Sequence, residues 1–344
     1  MKEMVPPLKS REEMLRILQE EEYGFLPPPP VELYFTKEEN VIPNFCAGKA
    51  PCDKITAHCR IRTVDDPTRT KNGPGEGKVF EFPFYSVIPV KGEKLPFFIH
   101  INFRPNIPDR YMPTEELIDN GFAVFSFCYN DVTQDDGDFT DKLAGVLYPD
   151  GKRGPADPGK IAMWAWAAQR VMDYICGTGI SADISLPDGK LDLSRGVVCG
   201  HSRLGKTALF CAATDERFAY AYSNESGCSG ASYTRGKRGE HVKDICERFP
   251  FWFCENYQRY ADHEDEMPFD QHFLLAAIAP RHAFIGSAEE DIWADPQAEK
   301  KSVDLIRHLF PEGYIDWHVR EGIHYFSRTD WLRLMAFVKM IIIS

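Results

Sequence analysis

The order of strand and helix candidates in this 344-residue chain predicts an α/β fold with three layers, in which helices cover both faces of a mostly parallel central sheet. After Gly92, short apolar strands alternate with helix-forming runs, which is typical of parallel sheets. Upstream, segments 56–64 and 78–90 are rich in β-branched and aromatic residues, so they predict an antiparallel N-terminal portion. We therefore expect a single domain over the whole chain, with an N-terminal extension and antiparallel strands at 1–92 and the α/β core at 93–344.

The candidate elements follow one another in a regular order. A helix candidate at 11–21 ends before the four prolines at 27–30, because proline breaks a helix interior. The core elements are strand 96–103, helix 114–120, strand 122–127, helix 161–176, strand 196–199, helix 204–214, strand 220–223, strand 283–287, helix 297–310, strand 314–319 and helix 331–343. Open sheets of this kind carry their site at the carboxyl ends of the strands. The residues that follow each strand are therefore the first functional candidates.

The composition restricts the class of partner. With 52 acidic and 40 basic residues the formal net charge is −12, which disfavours nucleic acid and anionic membrane surfaces as partners. The N-terminus has no apolar signal segment, and no apolar run is long enough to span a bilayer. We expect a monomeric cytoplasmic protein without a membrane partner, or a secreted or periplasmic one if a leader was removed.

The sequence shows no recognisable metal-binding pattern. The ten cysteines form no C-x-x-C pair and no spacing with histidine that suits a metal, so we interpret them as free thiols. The aspartates between 131 and 141 lack the spacing of a calcium-binding loop and predict a solvated loop. We expect no metal and no cofactor.

Ser202 is the candidate nucleophile. It lies in the stretch G-H-S-R-L-G-K at 200–206, between a predicted strand and a predicted helix. A helix directs free N–H groups and the positive end of its dipole at such a turn, where they can stabilise an oxyanion. Leu204 occupies the place of the second glycine of the common G-x-S-x-G pattern, and Gly205 follows one position later. The alternative interpretation is a serine that only caps the helix.

His324 is the candidate base. A nucleophilic serine needs a base to take its proton and a carboxylate to orient that base. The chain has ten histidines, so position selects among them: His324 follows the last strand candidate and precedes the final helix. α/β-Hydrolases carry their base at this place, and the order of elements therefore predicts the α/β-hydrolase fold.

Two carboxylates compete for the third role. Glu225 follows the strand at 220–223, and Asp291 follows the strand at 283–287. Both lie between serine and histidine in chain order, as the fold requires. Asp291 occupies the commoner place for the acid, whereas Glu225 precedes a loop of small residues that suits a packed site. The residues alone leave this choice open.

Six motifs occur between residues 196 and 325. They are G-H-S-R-L-G-K at 200–206, E-S-G at 225–227, F-P-F-W-F at 249–253, P-F-D-Q-H at 268–272, I-A-P-R at 278–281 and W-A-D-P at 293–296. Together and in this order they resemble the glucuronoyl esterases of carbohydrate esterase family 15, and the bacterial branch in particular. The resemblance implies a serine esterase that cleaves the ester between 4-O-methylglucuronic acid on xylan and an alcohol of lignin.

The resemblance also implies catalytic roles. Ser202 would be the nucleophile, His324 the general base and Glu225 the acid. Asp291 would stand at the second place where some bacterial members carry an acid, as a partner or a substitute. Arg203 would direct its guanidinium at the oxyanion and supplement backbone N–H donors.

Substrate-binding roles follow from the same resemblance. Lys206 would donate to hydroxyls of the uronate sugar, and Trp293 would present its indole N–H and its face to the same ring. Glu240 would bind the sugar 2-hydroxyl, with Glu247 as the alternative. The carbohydrate uronate ester is the only partner we expect.

One departure from the family concerns its fungal members. They carry paired cysteines next to the nucleophile and next to the histidine, where this chain has His201 and Tyr325. The departure is consistent with a bacterial protein of a reducing compartment that acts on imported oligosaccharides or small uronate esters. The alternatives are an acetylxylan or other carbohydrate deacetylase of the same fold, a uronoyl transferase, and a catalytically inactive binding protein.

Overall fold

One nine-stranded sheet runs through the part of the chain that the computed structural model describes, residues 5–62, 77–179 and 189–340. Its strands are β1 (Glu32–Glu38), β2 (Cys52–Ile61), β3 (Lys78–Val87), β4 (Leu95–Asn102), β5 (Ala123–Cys128), β6 (Leu191–His201), β7 (Tyr220–Asn224), β8 (His282–Ala288) and β9 (Ile315–Arg320). Their order is β1-β2-β3-β5-β4-β6-β7-β8-β9. The pairs β1/β2, β2/β3 and β3/β5 are antiparallel, and the five pairs that follow in this order are parallel. The mostly parallel sheet with an antiparallel N-terminal portion is confirmed.

Helices flank this sheet. They are α1 (Arg11–Leu18), α2 (Thr114–Asp119), α3 (Tyr129–Val132), α4 (Lys142–Leu147), α5 (Lys160–Ile175), α6 (Arg203–Thr214), α7 (Val242–Arg248), α8 (His272–Ala276), α9 (Pro296–Ile306) and α10 (Arg328–Met340). α5 is buried along its whole length, because it lies under other helices as well as on the sheet.

The two faces of the sheet bury separate hydrophobic cores. Alternate side chains of a strand point to opposite faces, and along β4 Phe97 and Ile99 join one core whereas Phe98 joins the other. Residues of α5, α6 and α9 complete the first core, and residues of α2 and α10 complete the second. This arrangement is the three-layer α/β sandwich that the sequence predicts.

The structure differs from the prediction mainly at its N-terminal edge. Strand β1 was not predicted, because it follows the prolines and buries only alternate residues at the edge of the sheet. The helix predicted at 11–21 ends at Leu18 and continues as a wider π-helical turn over Gln19–Tyr23. The ends of two predicted elements, residues 63–64 and 341–343, lie outside the described residues.

All ten cysteines lie within the described residues, and each is a free thiol. Eight are buried, and burial raises the pKa of Cys52 and Cys59 to about 12. These two thiols therefore stay protonated and act as core residues. Within the described ranges, no helix has both the length and the apolar character needed to cross a membrane.

Candidate active site

Ser202 occupies the turn between β6 and α6. Its backbone has φ 59° and ψ −127°, a strained conformation that a residue with a side chain rarely adopts. The Ser202 N–H donates to the carbonyl of Asn224 at 2.8 Å, which ties the turn to the end of β7. The predicted nucleophile therefore lies at the carboxyl edge of the sheet, in the strand–turn–helix geometry of a nucleophile elbow.

Two glycines allow this turn to close. A Cβ on Gly200 would lie 2.3 Å from the carbonyl oxygen of Leu204, and a Cβ on Gly205 would lie 2.9 Å from Ser223 Oγ. The backbone contact requires glycine at Gly200, whereas at Gly205 a side chain would fit only if Ser223 rotated or the turn shifted. The departure from G-x-S-x-G now has a physical reason, because the close approach to β7 falls at Gly205 and not at Leu204.

His324 lies in the loop after β9, where its Nδ1 faces two carboxylates. Asp291, after β8, places Oδ2 2.6 Å from His324 Nδ1. Glu225, directly after β7, places Oε2 3.3 Å from the same nitrogen. A carboxylate on Nδ1 leaves Nε2 to exchange a proton with a nucleophile. The structure thus brings both candidate acids to the candidate base, with Asp291 nearer.

Glu225 also has partners of its own. Its Oε1 accepts a hydrogen bond from Arg320 Nη2 at 2.6 Å, and its Oε2 accepts one from the Tyr325 N–H at 2.9 Å. Arg320 donates further to Asp330 at 2.8 Å and to the carbonyls of Ile323 and Tyr325. Arg320 therefore ties Glu225 to the loop that carries His324.

The two carboxyls differ in acid strength. Burial opposes a charge on Asp291, but the hydrogen bond and the charge of His324 outweigh it and hold the Asp291 pKa below its usual range. Burial raises the pKa of Glu225 to about 9, although the charge of Arg320 opposes this shift. Asp291 is accordingly the carboxyl that ionises more readily beside His324.

A cavity of about 340 Å³ opens at this edge of the sheet. Every site residue selected from the sequence lines it: Ser202, Arg203, Lys206, Glu225, Glu240, Asp291, Trp293 and His324. Arg248, Phe249 and Trp252 complete its larger lining residues. Glu247, the sequence-based alternative to Glu240, does not line this cavity.

Arg203 is held firmly in the wall of the cavity. Its Nη1 donates to Asp135 Oδ2 at 2.5 Å and to the Tyr129 hydroxyl at 3.3 Å, and its Cζ lies 4.9 Å from the ring centroid of Trp252. Its Nε is buried and has no hydrogen-bond partner among the described residues. A buried donor without a partner is costly, and a hydrogen bond from a ligand that reaches it would remove that cost.

Lys206, Glu240 and Trp293 form a connected polar group. Lys206 is buried, and its Nζ donates to the carbonyls of Ser226 and Cys228 at 2.5 and 2.6 Å. Trp293 Nε1 donates to Glu240 Oε1 at 3.1 Å, and Glu240 Oε2 lies 3.8 Å from Lys206 Nζ. Trp293 is 43% exposed, so part of its indole remains accessible to a ligand, although the Arg248 guanidinium lies over the ring.

One group of side chains at the site has metal-ligating atoms close together. Ligand atoms of His201, Glu225 and His324 lie within 4.8 Å of one another. The carboxylate of Glu225 already accepts from Arg320 and Tyr325, however. His201 Nδ1 lies 2.7 Å from the amide oxygen of Asn224. These atoms serve internal hydrogen bonds, and the arrangement suits acyl transfer better than metal binding.

Sequence reasoning missed three charged residues at the site. Arg320 ends β9, so the same strand-end rule that selected Glu225 could have found it. Arg248 places its Cζ 5.0 Å from the Trp293 ring centroid. The sequence around Arg248 contains no motif that would have indicated a role at the site. The interpretation of 131–141 as a solvated loop is wrong for Asp135, whose side chain is 15% exposed and contacts Arg203 across 68 positions of sequence. No local sequence pattern predicts a contact between residues so far apart in the chain.

Comparisons with known proteins agree with this geometry. A family model for fungal glucuronyl esterases matches residues 76–310. A carbohydrate esterase from an unknown prokaryotic organism is 35% identical over 241 residues, which are 63% of this chain and 53% of that protein. A 4-O-methyl-glucuronoyl methylesterase of Phanerochaete chrysosporium is 27% identical over 58% of this chain and 42% of its own length. The chain thus matches about half the length of these curated relatives.

Solved structures share the whole architecture. A promiscuous CE15 esterase from a marine bacterial metagenome superimposes with a TM-score of 0.78 at 26% identity, over 96% of this chain and 91% of that one. A glucuronoyl esterase from Solibacter usitatus gives a TM-score of 0.77 at 26% identity with the same coverage. Esterases of this family have the α/β-hydrolase fold, so that prediction is confirmed. Because the family model covers more than half of it, the chain belongs to the glucuronoyl esterase family.

Proposed function

We propose that this protein is a serine esterase that hydrolyses esters of glucuronic acid or 4-O-methylglucuronic acid through an acyl-enzyme. The observation that carries the proposal is the single cavity lined by a strained serine, a histidine with a carboxylate partner, and a polar group suited to sugar hydroxyls. Relatives named 4-O-methyl-glucuronoyl methylesterases support the substrate class.

The first half of the reaction forms the acyl-enzyme. Ser202 Oγ attacks the ester carbonyl carbon while His324 Nε2 takes the hydroxyl proton. The resulting imidazolium is stabilised through Nδ1 by Asp291. The tetrahedral intermediate then collapses, and the alcohol oxygen leaves with the proton from His324.

The second half repeats the cycle with water. His324 takes a proton from a water molecule as the water oxygen attacks the acyl carbonyl. The second tetrahedral intermediate expels Ser202 Oγ, which recovers the proton from His324. Glucuronic acid is released, and both residues return to their starting states.

Arg203 and the start of α6 stabilise the negative charge that develops on the carbonyl oxygen. The unpartnered Arg203 Nε and the N–H groups of the helix N-terminus are donors at the same turn as Ser202. Loss of a single oxyanion donor typically lowers kcat by about 10²- to 10³-fold. Arg203 is therefore assigned to the transition state and not to binding of the ground state.

The proposal assigns the two acids in the opposite order to the one that the family resemblance implies. Asp291 is the orienting acid, because its carboxylate is nearer to His324 and ionises more readily. Glu225 supports the base indirectly, because it binds Arg320 and the backbone of the histidine loop.

Lys206, Glu240 and Trp293 are assigned to the uronate sugar. An ammonium donor, a carboxylate acceptor and a partly exposed indole can each meet a different part of a polyhydroxylated ring. The natural substrate is then a glucuronate ester from xylan, either in a lignin–carbohydrate linkage or in an oligosaccharide derived from it. A carbohydrate deacetylase would not need this group, and an inactive binding protein would not need the strained serine.

Release of free glucuronic acid from benzyl glucuronate tests the proposal. It is measured beside acetate release from an acetylated sugar, with wild type and Ser202→Ala. We expect uronate release that the substitution abolishes. Acetate release alone would move the protein to another esterase class, and formation of a glucuronate ester with an added alcohol in place of hydrolysis would identify a transferase. If Ser202 also fails to react with a serine-directed phosphonate, the binding-protein alternative is favoured.

A further inference from the structure

Asp135 connects two residues of the cavity wall. Its Oδ2 accepts a hydrogen bond from Arg203 Nη1 at 2.5 Å, and its Oδ1 accepts one from Trp252 Nε1 at 2.6 Å. The Tyr129 hydroxyl donates to Asp135 Oδ2 at 3.1 Å. Each oxygen of one carboxylate thus holds a different side chain that lines the cavity.

The loop that carries Asp135 is itself anchored. The Asp135 N–H donates to Asn130 Oδ1 at 3.0 Å. Behind the loop, the fully buried Lys160 of α5 donates to Thr133 Oγ1 at 2.7 Å, and Trp164 Nε1 donates to the Thr133 carbonyl at 3.2 Å. The carboxylate is therefore presented to Arg203 from a fixed support.

Arg203 needs such a support, because its long side chain otherwise has many rotamers. Its guanidinium is planar, so a partner on Nη1 also fixes the direction of Nε. The rings of Trp252 and Phe103 lie 4.9 and 5.4 Å from its Cζ and restrict the plane further. The result is that Arg203, which lines the cavity, keeps its unpartnered Nε in one direction.

We propose that Asp135 is a positioning residue of this esterase, whose carboxylate fixes the Arg203 guanidinium in the orientation that stabilises the oxyanion and holds the Trp252 indole beside that guanidinium. The proposal rests on the oxyanion role of Arg203 given above. Two opposite effects follow from a carboxylate beside this guanidinium: it orients the donor, and it partly neutralises the positive charge. We assign the larger effect to orientation, since a hydrogen bond to the oxyanion depends steeply on direction.

The variant Asp135→Asn changes charge and orientation together, but the two effects change kcat in opposite directions. An amide offers one acceptor and one donor group, so one of the two contacts, with Arg203 or with Trp252, becomes donor against donor. We expect kcat to fall by about 10-fold, which is less than loss of the oxyanion donor itself, with KM unchanged. Asp136→Asn is the matched control: its side chain is exposed, it makes the same charge change, and we expect wild-type kcat. An increase of kcat in Asp135→Asn would overturn the proposal in favour of charge neutralisation.

A double-mutant cycle tests whether Asp135 acts through Arg203. In an Arg203→Gln background, Asp135→Asn is expected to cost no further activity. Equal fold losses in both backgrounds would make Asp135 a merely structural residue. Asp135→Glu restores two acceptors and is expected to recover part of the lost kcat only where Arg203 is present. If thermal unfolding shows that Asp135→Asn does not fold, Asp135→Glu takes its place in the cycle.

The same set of variants is also measured by a second assay, the rate at which a phosphonate inactivates Ser202. That reaction forms a tetrahedral oxyanion analogue and does not require a uronate substrate. A coupled loss of inactivation rate supports the role of Asp135 even if benzyl glucuronate is not hydrolysed. Independent losses would overturn the inference while leaving the substrate assignment intact.

Discussion

Asp291 and Glu225 both face Nδ1 of His324, but they have different neighbours. Asp291 contacts the histidine at 2.6 Å, whereas Glu225 holds the histidine loop through Arg320 and the Tyr325 N–H. Loss of an acceptor leaves a buried donor without a hydrogen bond, which costs about 1–3 kcal/mol of stability. Substitutions at the two carboxylates should therefore affect different measured quantities.

We expect Asp291→Asn to lower kcat more than Glu225→Gln does. The predicted loss for Asp291→Asn is about 100-fold, smaller than the ~10⁴-fold loss when a triad has only one acid, because Glu225 remains 3.3 Å from His324. Glu225→Gln should instead destabilise the protein by about 1–3 kcal/mol, because the amide cannot accept from both Arg320 and the Tyr325 N–H and leaves one of these donors unsatisfied. Steady-state kinetics and denaturant unfolding of both variants measure the two effects. A larger kcat loss in a fully folded Glu225→Gln would assign the acid role to Glu225.

Glu240→Gln should raise KM for glucuronate esters by about 10-fold. The substitution replaces a charged acceptor that also binds Trp293, and hydrogen bonds to charged groups are worth about 1.5–3 kcal/mol. Glu247→Gln is a matched control, because Glu247 is exposed and does not line the cavity. Hydrolysis of a simple acetate ester should be unchanged in both. A KM increase in Glu247→Gln alone would move the sugar-binding acid to that position.

At the scale of the elements, the elbow depends on how closely α6 approaches β7. In Gly205→Ala the new Cβ would lie 2.9 Å from Ser223 Oγ and 3.2 Å from the Gly200 carbonyl oxygen, so Ser223 must rotate or α6 must move at the turn that carries Ser202. We expect a destabilisation of about 1–3 kcal/mol together with a lower kcat. Gly200→Ala should be worse on both measures, because its Cβ would meet the backbone of Leu204 at 2.3 Å. Thermal unfolding and kcat of the two variants test this order, and the reverse order would contradict the packing argument.

The core elements could be predicted because their signals are local. The α6 region, for example, is a helix-forming run that follows an apolar strand, and a serine between them marks the turn. Strand β1 carries only a weak alternation, and its place is decided by pairing with β2 through partners such as Thr36 and Thr56. Pairing of this kind depends on residues distant in sequence, so the pattern of the segment alone does not reveal it.

The sequence predicts those residues of the site that follow the carboxyl end of a strand or that belong to a motif of the family. Ser202, Glu225, Asp291 and His324 each follow a strand, and parallel strands bring their carboxyl ends together. Asp135 escapes this rule, because it lies beyond α3 in a loop of aspartates and reaches Arg203 only through the tertiary structure. The choice between the two acids also needed distances, which the sequence does not contain.

At the scale of the whole molecule, buried ionisable groups shape the dependence of stability on pH. Burial raises the pKa of Glu225 to about 9, that of Glu22 to about 8 and that of Glu299 to about 7. Burial lowers the pKa of four histidines, to about 4 for His100 and His282 and to about 3 for His201, and it also lowers that of His272. Between pH 4.5 and 6.5 the folded acids bind more protons than the unfolded chain and the folded histidines bind fewer. The two sets oppose each other in this window, so the net dependence of stability on pH is weaker than either set alone would give.

As the pH rises above 6.5 the histidines of the unfolded chain lose most of their remaining charge, so the acids increasingly determine how stability depends on pH. Glu22 is protonated in the folded protein up to about pH 8 but ionised when unfolded, so its contribution to stability is lost as pH rises to 8. We expect the free energy of unfolding to fall between pH 6.5 and 8, by about 1.4 kcal/mol per pH unit for one such group. In Glu22→Gln the fall should be shallower, because the amide needs no proton and can still contact Gln271. Urea unfolding of wild type, Glu22→Gln and the surface control Glu247→Gln at pH 6.5, 7.2 and 8 measures this difference, and parallel curves for wild type and Glu22→Gln would show that Glu22 is already ionised in the folded protein.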